Sequence, residues 1–110
     1  MDSALERLGS LPALSIITRI ELEGGVVAKP HLFAKRRRSL DVLLGILPIL
    51  DFDASCADAY RGMVETVGFS RRKTNDRMIA ATALVHRLTV ITANPGDFRD
   101  VPGLALEVWP

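Results

Sequence analysis

Apolar positions along the chain change their period repeatedly, and each change marks an element. Residues 14–17, Leu-Ser-Ile-Ile, form a short apolar run of strand type. The Thr-Arg-Ile-Glu-Leu-Glu-Gly-Gly that follows sets Thr18 and Glu21 at capping-box spacing and predicts a short helix closed by Gly24 and Gly25. Between 35 and 47, Leu40, Leu43, Leu44 and Leu47 recur at helical spacing, and Pro48 stops that helix before the strand-like Ile-Leu-Asp-Phe at 49–52. Asp53 is placed to cap a helix over 54–67, with Ala57, Tyr60, Val64 and Val67 along one side and Gly68 at its end.

Residues 70–73, Ser-Arg-Arg-Lys, read as an exposed connector. Thr74 or Asn75 then caps a helix that turns Met78, Ile79, Ala83 and Leu84 inward. The β-branched run Leu-Thr-Val-Ile-Thr at 88–92 predicts a buried strand, Asn-Pro-Gly-Asp the turn after it, and 104–109 a last strand. Strands alternating with helices imply an α/β domain with a mostly parallel sheet covered on both faces. In such sheets ligands bind beyond the carboxyl ends of the strands.

Composition narrows this picture. A chain of 110 residues, 48% apolar and 25% charged, fits a single domain over 1–110 and excludes collagen-like or disordered classes. A net charge of +1 leaves no bulk electrostatic case for nucleic acid or membrane binding, so any such case rests on local clusters. The one cysteine, Cys56, excludes an internal disulfide and reads as a small buried hydrophobe in a reducing compartment. The opening Met-Asp-Ser-Ala-Leu-Glu-Arg-Leu lacks the pattern of a signal peptide, and the apolar run 40–50 is too short to span a bilayer. A cytoplasmic protein without membrane contact is the expectation.

Three acids fall where the predicted topology directs ligands: Glu21 after the first strand, Asp76 at the start of a helix, and Asp97 just past a strand. Converging carboxylates repel one another unless a cation lies between them, and Mg2+ or Mn2+ suits oxygen ligands of this kind. Each acid also has a local role available: Glu21 in a capping box, Asp76 in a first helical turn, Asp97 after a Pro-Gly turn. Spacing leaves both readings open. His31 and His86 have no serine or cysteine partner at a recognisable spacing, which disfavours a nucleophilic triad. The basic clusters at 35–38 (with Arg36, Arg37 and Arg38) and at 71–73 (Arg71, Arg72 and Lys73) read either as phosphate contacts or as a solvated face. Six aromatic residues, four of them Phe, give no interleaving that would argue for base stacking.

In combination the motifs are more specific. The segments SIITRIELEGG, NDRMIAATALVHRLTVITANPGDF and VPGLALEVW resemble the PIN-domain ribonucleases of bacterial toxin–antitoxin pairs, the VapC-type toxins, over residues 14–109. In that family a Thr followed by Glu-Leu and a Gly marks one acidic position, matched by Thr18, Glu21, Leu22 and Gly24. An Asp before Ile-Ala-Ala marks the next, matched by Asp76, Ile79, Ala80 and Ala81. A Thr-x-Asn strand end with Asp-Phe marks the last, matched by Thr92, Asn94, Asp97 and Phe98.

The resemblance implies an α/β/α PIN fold and metal-dependent RNA cleavage, with Glu21, Asp76 and Asp97 as catalytic metal ligands and Thr92 and Asn94 as polar support. It also implies a homodimer and a VapB-type antitoxin that masks the site. Family members open with a strand ending in an aspartate that supplies the first ligand. The start MDSALERLGSLPALS has no such strand, the stretch after Asp2 reading as helical. The expectation is therefore a domain without its first strand and first aspartate, with unpaired strand edges beside the gap.

Overall fold

The computed structural model of the chain describes residues 5–8 and 11–108. Two strands, β1 (Leu5–Leu8) and β2 (Leu11–Ser15), lead into helix α1 (Ile16–Ala28). A 3-10 turn at Pro30–Leu32 precedes α2 (Phe33–Ile46), a two-residue strand β3 (Ile49–Leu50), α3 (Ala54–Val67) and α4 (Thr74–His86). Strand β4 (Thr89–Thr92), a second 3-10 turn at Pro95–Asp97 and strand β5 (Ala105–Val108) complete the described residues. Asp2 and Trp109, the latter expected to end the last strand, lie outside them.

The strands lie in the order β3-β2-β1-β4-β5. Pairings β2–β3 and β4–β5 are parallel, and β1 is antiparallel to both β2 and β4. Four strands therefore share one direction and β1 alone opposes them, which bears out a mostly parallel sheet. The expected gap is corrected: Glu6 pairs with Ala13 on one side and with Val90 on the other. The helical reading of this stretch fails with it. Two facing strand edges offer rows of N–H and C=O groups, and pairing with both at once outweighs a weak local preference.

Register separates the two faces of the sheet. Ala13 and Val90 share the partner Glu6 and so lie on one face, and Val90 pairs with Leu106 on that same face. Val90 and Leu106 pack with Met63, Ile79, Ala80, Ala83, Phe98 and Val101, a core built from α3, α4 and the loop after β4. Leu14 and Ile49, paired on the opposite face, pack with Leu22, Val26 and Leu40 of α1 and α2. The result is a three-layer α/β/α arrangement. Ala80, Ala81 and Ala83 are fully buried, and their small side chains let α4 lie close to both the sheet and α3.

Several helix ends differ from the expectation. Ser15, not Thr18, caps α1: its Oγ accepts from the Thr18 N–H at 3.0 Å and donates to Thr18 Oγ1 at 3.1 Å. A hydroxyl at the end of β2 meets the free N–H groups one turn earlier than the predicted box, so the helix starts sooner and Glu21 moves into its second turn. Gly24 and Gly25 do not end α1, which continues to Ala28. Neither Thr74 nor Asn75 caps α4. Lys73 holds the cap position without a side-chain bond, and Thr74 Oγ1 instead donates to the Ser70 carbonyl at 3.1 Å. Asp53 does cap α3, accepting from the Cys56 N–H at 3.0 Å, and that bond holds its carboxyl below the usual range. Gly68 closes α3 at φ 84, a conformation that costs a residue with a Cβ. Cys56 is fully buried, as expected, and burial pushes its thiol pKa up.

Candidate active site

Sheet direction brings the acids to one end of the domain. α1 starts where β2 ends, α4 starts at the same end because it runs back to feed β4, and the 3-10 turn follows the end of β4. Glu21 in α1, Asp76 in the first turn of α4 and Asp97 in that turn are each half-buried. The Oε1 atom of Glu21 is buried outright. Among the described residues, no three His, Cys, Asp or Glu side chains are grouped closely enough to hold a metal ion by themselves. The donors are hard oxygens, the chemistry Mg2+ and Mn2+ select. Mg2+ is usually held by one or two carboxylates with waters and substrate phosphates rather than in an all-protein cage. The acids fit such an open site and do not form a closed one.

Thr92 and Asn94 build the turn that carries Asp97. Thr92 is buried, and its Oγ1 accepts from the Asn94 N–H at 3.0 Å. The Asn94 carbonyl then accepts from the Asp97 N–H at 3.2 Å, and Phe98, 3% exposed, pins the turn to the core. Both polar residues thus act on the backbone leading to the acid.

Sequence reasoning missed the clamp that ties these pieces together. Arg77, 3% exposed, donates from Nη1 to the Gly68 carbonyl and from Nη2 to Asp100 Oδ2 at 3.0 Å. Lys73 Nζ reaches the same oxygen at 3.3 Å. Burial pushes the Asp100 carboxyl up, but the hydrogen bonds from Arg77 and Lys73 outweigh it and hold the group below the usual carboxylate range. One guanidinium therefore joins the end of α3, the first turn of α4 beside Asp76, and the loop three residues beyond Asp97. A signal existed: an arginine entering a helix whose next turns are buried alanines must find acceptors inside the fold.

The basic clusters divide. Arg36 donates to the Gly25 carbonyl at 2.7 Å, and Arg37 pairs with Glu23 at 2.6 Å and Asp41 at 2.9 Å. The Arg37 guanidinium lowers the Glu23 carboxyl pKa, and Glu23 in turn raises that of Arg37. With Lys73 bound to Asp100, these three cations tie α1 to α2 and hold the site loop. Arg38, Arg71 and Arg72 remain exposed, and no ion pair involves them among the described residues.

A family model for the PIN domain matches residues 2–104. The chain belongs to the PIN-domain family. This PIN domain is of the VapC type: it is 35% identical over 100 residues to Ribonuclease VapC2 of Rickettsia felis, covering 88% of this chain and 73% of that protein. The VapBC2 complex of Rickettsia felis bound to a DNA fragment from its promoter superposes with a TM-score of 0.78 at 33% identity, covering 89% of this chain and 74% of that one. VapBC-5 of Mycobacterium tuberculosis, a toxin–antitoxin complex, gives a TM-score of 0.69 at 29% identity, over 87% and 79% of the two chains. Among the described residues of this domain no helix is long and apolar enough to cross a membrane.

Proposed function

We propose that this PIN domain is a VapC-like toxin, a divalent-metal-dependent endoribonuclease that hydrolyses RNA phosphodiester bonds. In this reading Glu21, Asp76 and Asp97 hold Mg2+ or Mn2+, Thr92 and Asn94 shape the turn that presents Asp97, and Arg77 with Asp100 keeps that turn against α4. The observation that carries the reading is the shared position of the three half-buried acids at one end of the sheet, in a chain related to Ribonuclease VapC2. When bound, the ion supplies Lewis-acid chemistry that acidifies an attacking water and offsets charge building on the phosphate. The relatives that superpose are VapBC complexes, which supports a VapB-type antitoxin as partner. A homodimer working in the cytoplasm completes the proposal.

Incubation of the purified chain with total RNA and Mg2+ tests it. Cleavage that disappears in Asp76→Asn and in chelator supports the reading; cleavage indifferent to both sinks it. A second reading, a catalytically impaired PIN module that dimerises or holds an antitoxin, is favoured by the lack of three grouped metal donors among the described residues. Tight Mn2+ binding by calorimetry would count against it.

A further inference from the structure

Phe69 is 70% exposed in the connector between α3 and α4. Leaving a phenyl ring in water forgoes about 1.5–3 kcal/mol of burial. The connector is held in place: Arg77 grips the Gly68 carbonyl, Lys73 N–H and Thr74 Oγ1 both donate to the Ser70 carbonyl, at 3.2 and 3.1 Å, and the Thr74 N–H donates to the Arg71 carbonyl at 3.3 Å. The ring is therefore presented on ordered backbone. Two and three residues on stand Arg71 and Arg72, exposed and outside every ion pair among the described residues, and the chain then enters α4 and reaches Asp76.

We propose that Phe69, Arg71 and Arg72 form a docking platform for single-stranded RNA. One base stacks on the Phe69 ring, the two guanidinium groups contact neighbouring phosphates, and the strand is led toward Asp76. The inference rests on the reading that this chain acts on RNA. The six-aromatic count argued against stacking, but one exposed ring beside uncompensated cations is the minimal stacking site. Charge selects the occupant: two free arginines next to the ring call for a polyanion, whereas an apolar protein contact calls for apolar neighbours. Such neighbours lie elsewhere, on α1 and α2, where Ile20, Val27, Val42, Leu43 and Ile46 are exposed.

The test is fluorescence anisotropy of a labelled twelve-nucleotide oligouridylate in chelator, so that no cleavage occurs, with wild type, Phe69→Leu, Phe69→Trp and the double variant Arg71→Ala/Arg72→Ala. Leu keeps apolar area but loses the ring face, so Phe69→Leu weakens binding about five- to a hundredfold, while Phe69→Trp holds or tightens it. The double variant binds more weakly and lowers the slope of log affinity against log salt by about 1.4. Thermal melts confirm folding. Wild-type binding and cleavage matched by Phe69→Leu overturns the platform and leaves the ribonuclease reading standing. A Phe69→Leu effect on oligomeric state alone also overturns the platform. Wild type that neither binds nor cuts RNA removes both.

Discussion

Replacing Arg77 with Met keeps most of the buried volume and deletes the clamp. The Gly68 carbonyl loses a charged donor, about 1.5–3 kcal/mol. Asp100 keeps Lys73 and is 35% exposed, so its loss of Arg77 is screened and adds only about 0.5–1 kcal/mol. Against this, Arg77 Nε is buried without a hydrogen-bond partner among the described residues, and removing that donor returns about 1 kcal/mol. The net is a loss of about 2 kcal/mol, which for a domain of this size lowers the melting temperature by about 8 °C. Urea unfolding followed by circular dichroism reads the first quantity and a thermal scan the second. Hydrogen exchange adds a local readout: the amides of Phe98, Arg99 and Val101, bonded within the loop, exchange faster in the variant. A Met variant as stable as wild type, with unchanged exchange there, would show that desolvating the guanidinium cancels its bonds, the usual risk of a buried charge, and that the loop is held by Phe98 and Val101 alone.

Three further expectations follow from the same contacts. The Asp100 carboxyl titrates lower in the folded chain than in the unfolded one, so its contribution is complete above the unfolded carboxylate value of about 4 and is lost as pH falls through the lower folded value; the margin of wild type over Asp100→Asn in urea midpoint therefore shrinks from pH 6 to pH 3, and a constant margin contradicts the clamp. Arg87 ends α4 in the left-handed region at φ 56, its N–H bonded to the Ala83 and Leu84 carbonyls, so Arg87→Gly stabilises by about 0.5–1 kcal/mol, and a destabilised variant would mean the side chain contributes more than the strain. Ile79 is fully buried between α3 and the sheet, so Ile79→Ala costs about 2–5 kcal/mol in chemical denaturation, and a loss below about 1 kcal/mol would place it outside the core.

Much of the fold was legible because its signals are local. Helix α3 runs over the predicted residues since Asp53 and Gly68 each act within one turn of the helix end. The strand at 89–92 announced itself by β-branched composition, and the order of elements implied the direction of β2 to β5. Glu21, Asp76 and Asp97 were nominated for the same reason: each stands at a fixed offset from an element boundary, and the resemblance turned those offsets into a proposed site. Ser15 was missed because a cap depends on where the strand stops, and the β2–β3 pairing decides that.

By itself, then, the sequence determined the succession of strands and helices from β2 onward, the covering of the sheet on both faces, and the end of the sheet on which the three acids fall. Only the tertiary structure decided that Leu5–Leu8 pairs between β2 and β4, that Arg77 and Asp100 fasten the loop carrying Asp97, and which cations are consumed by ion pairs. The physical reason is range. Capping, turns and periodicity are set by neighbours a few residues apart, whereas the pairing of Glu6 with Val90 and the bond of Arg77 to Asp100, 23 residues away, join parts of the chain that no local pattern relates.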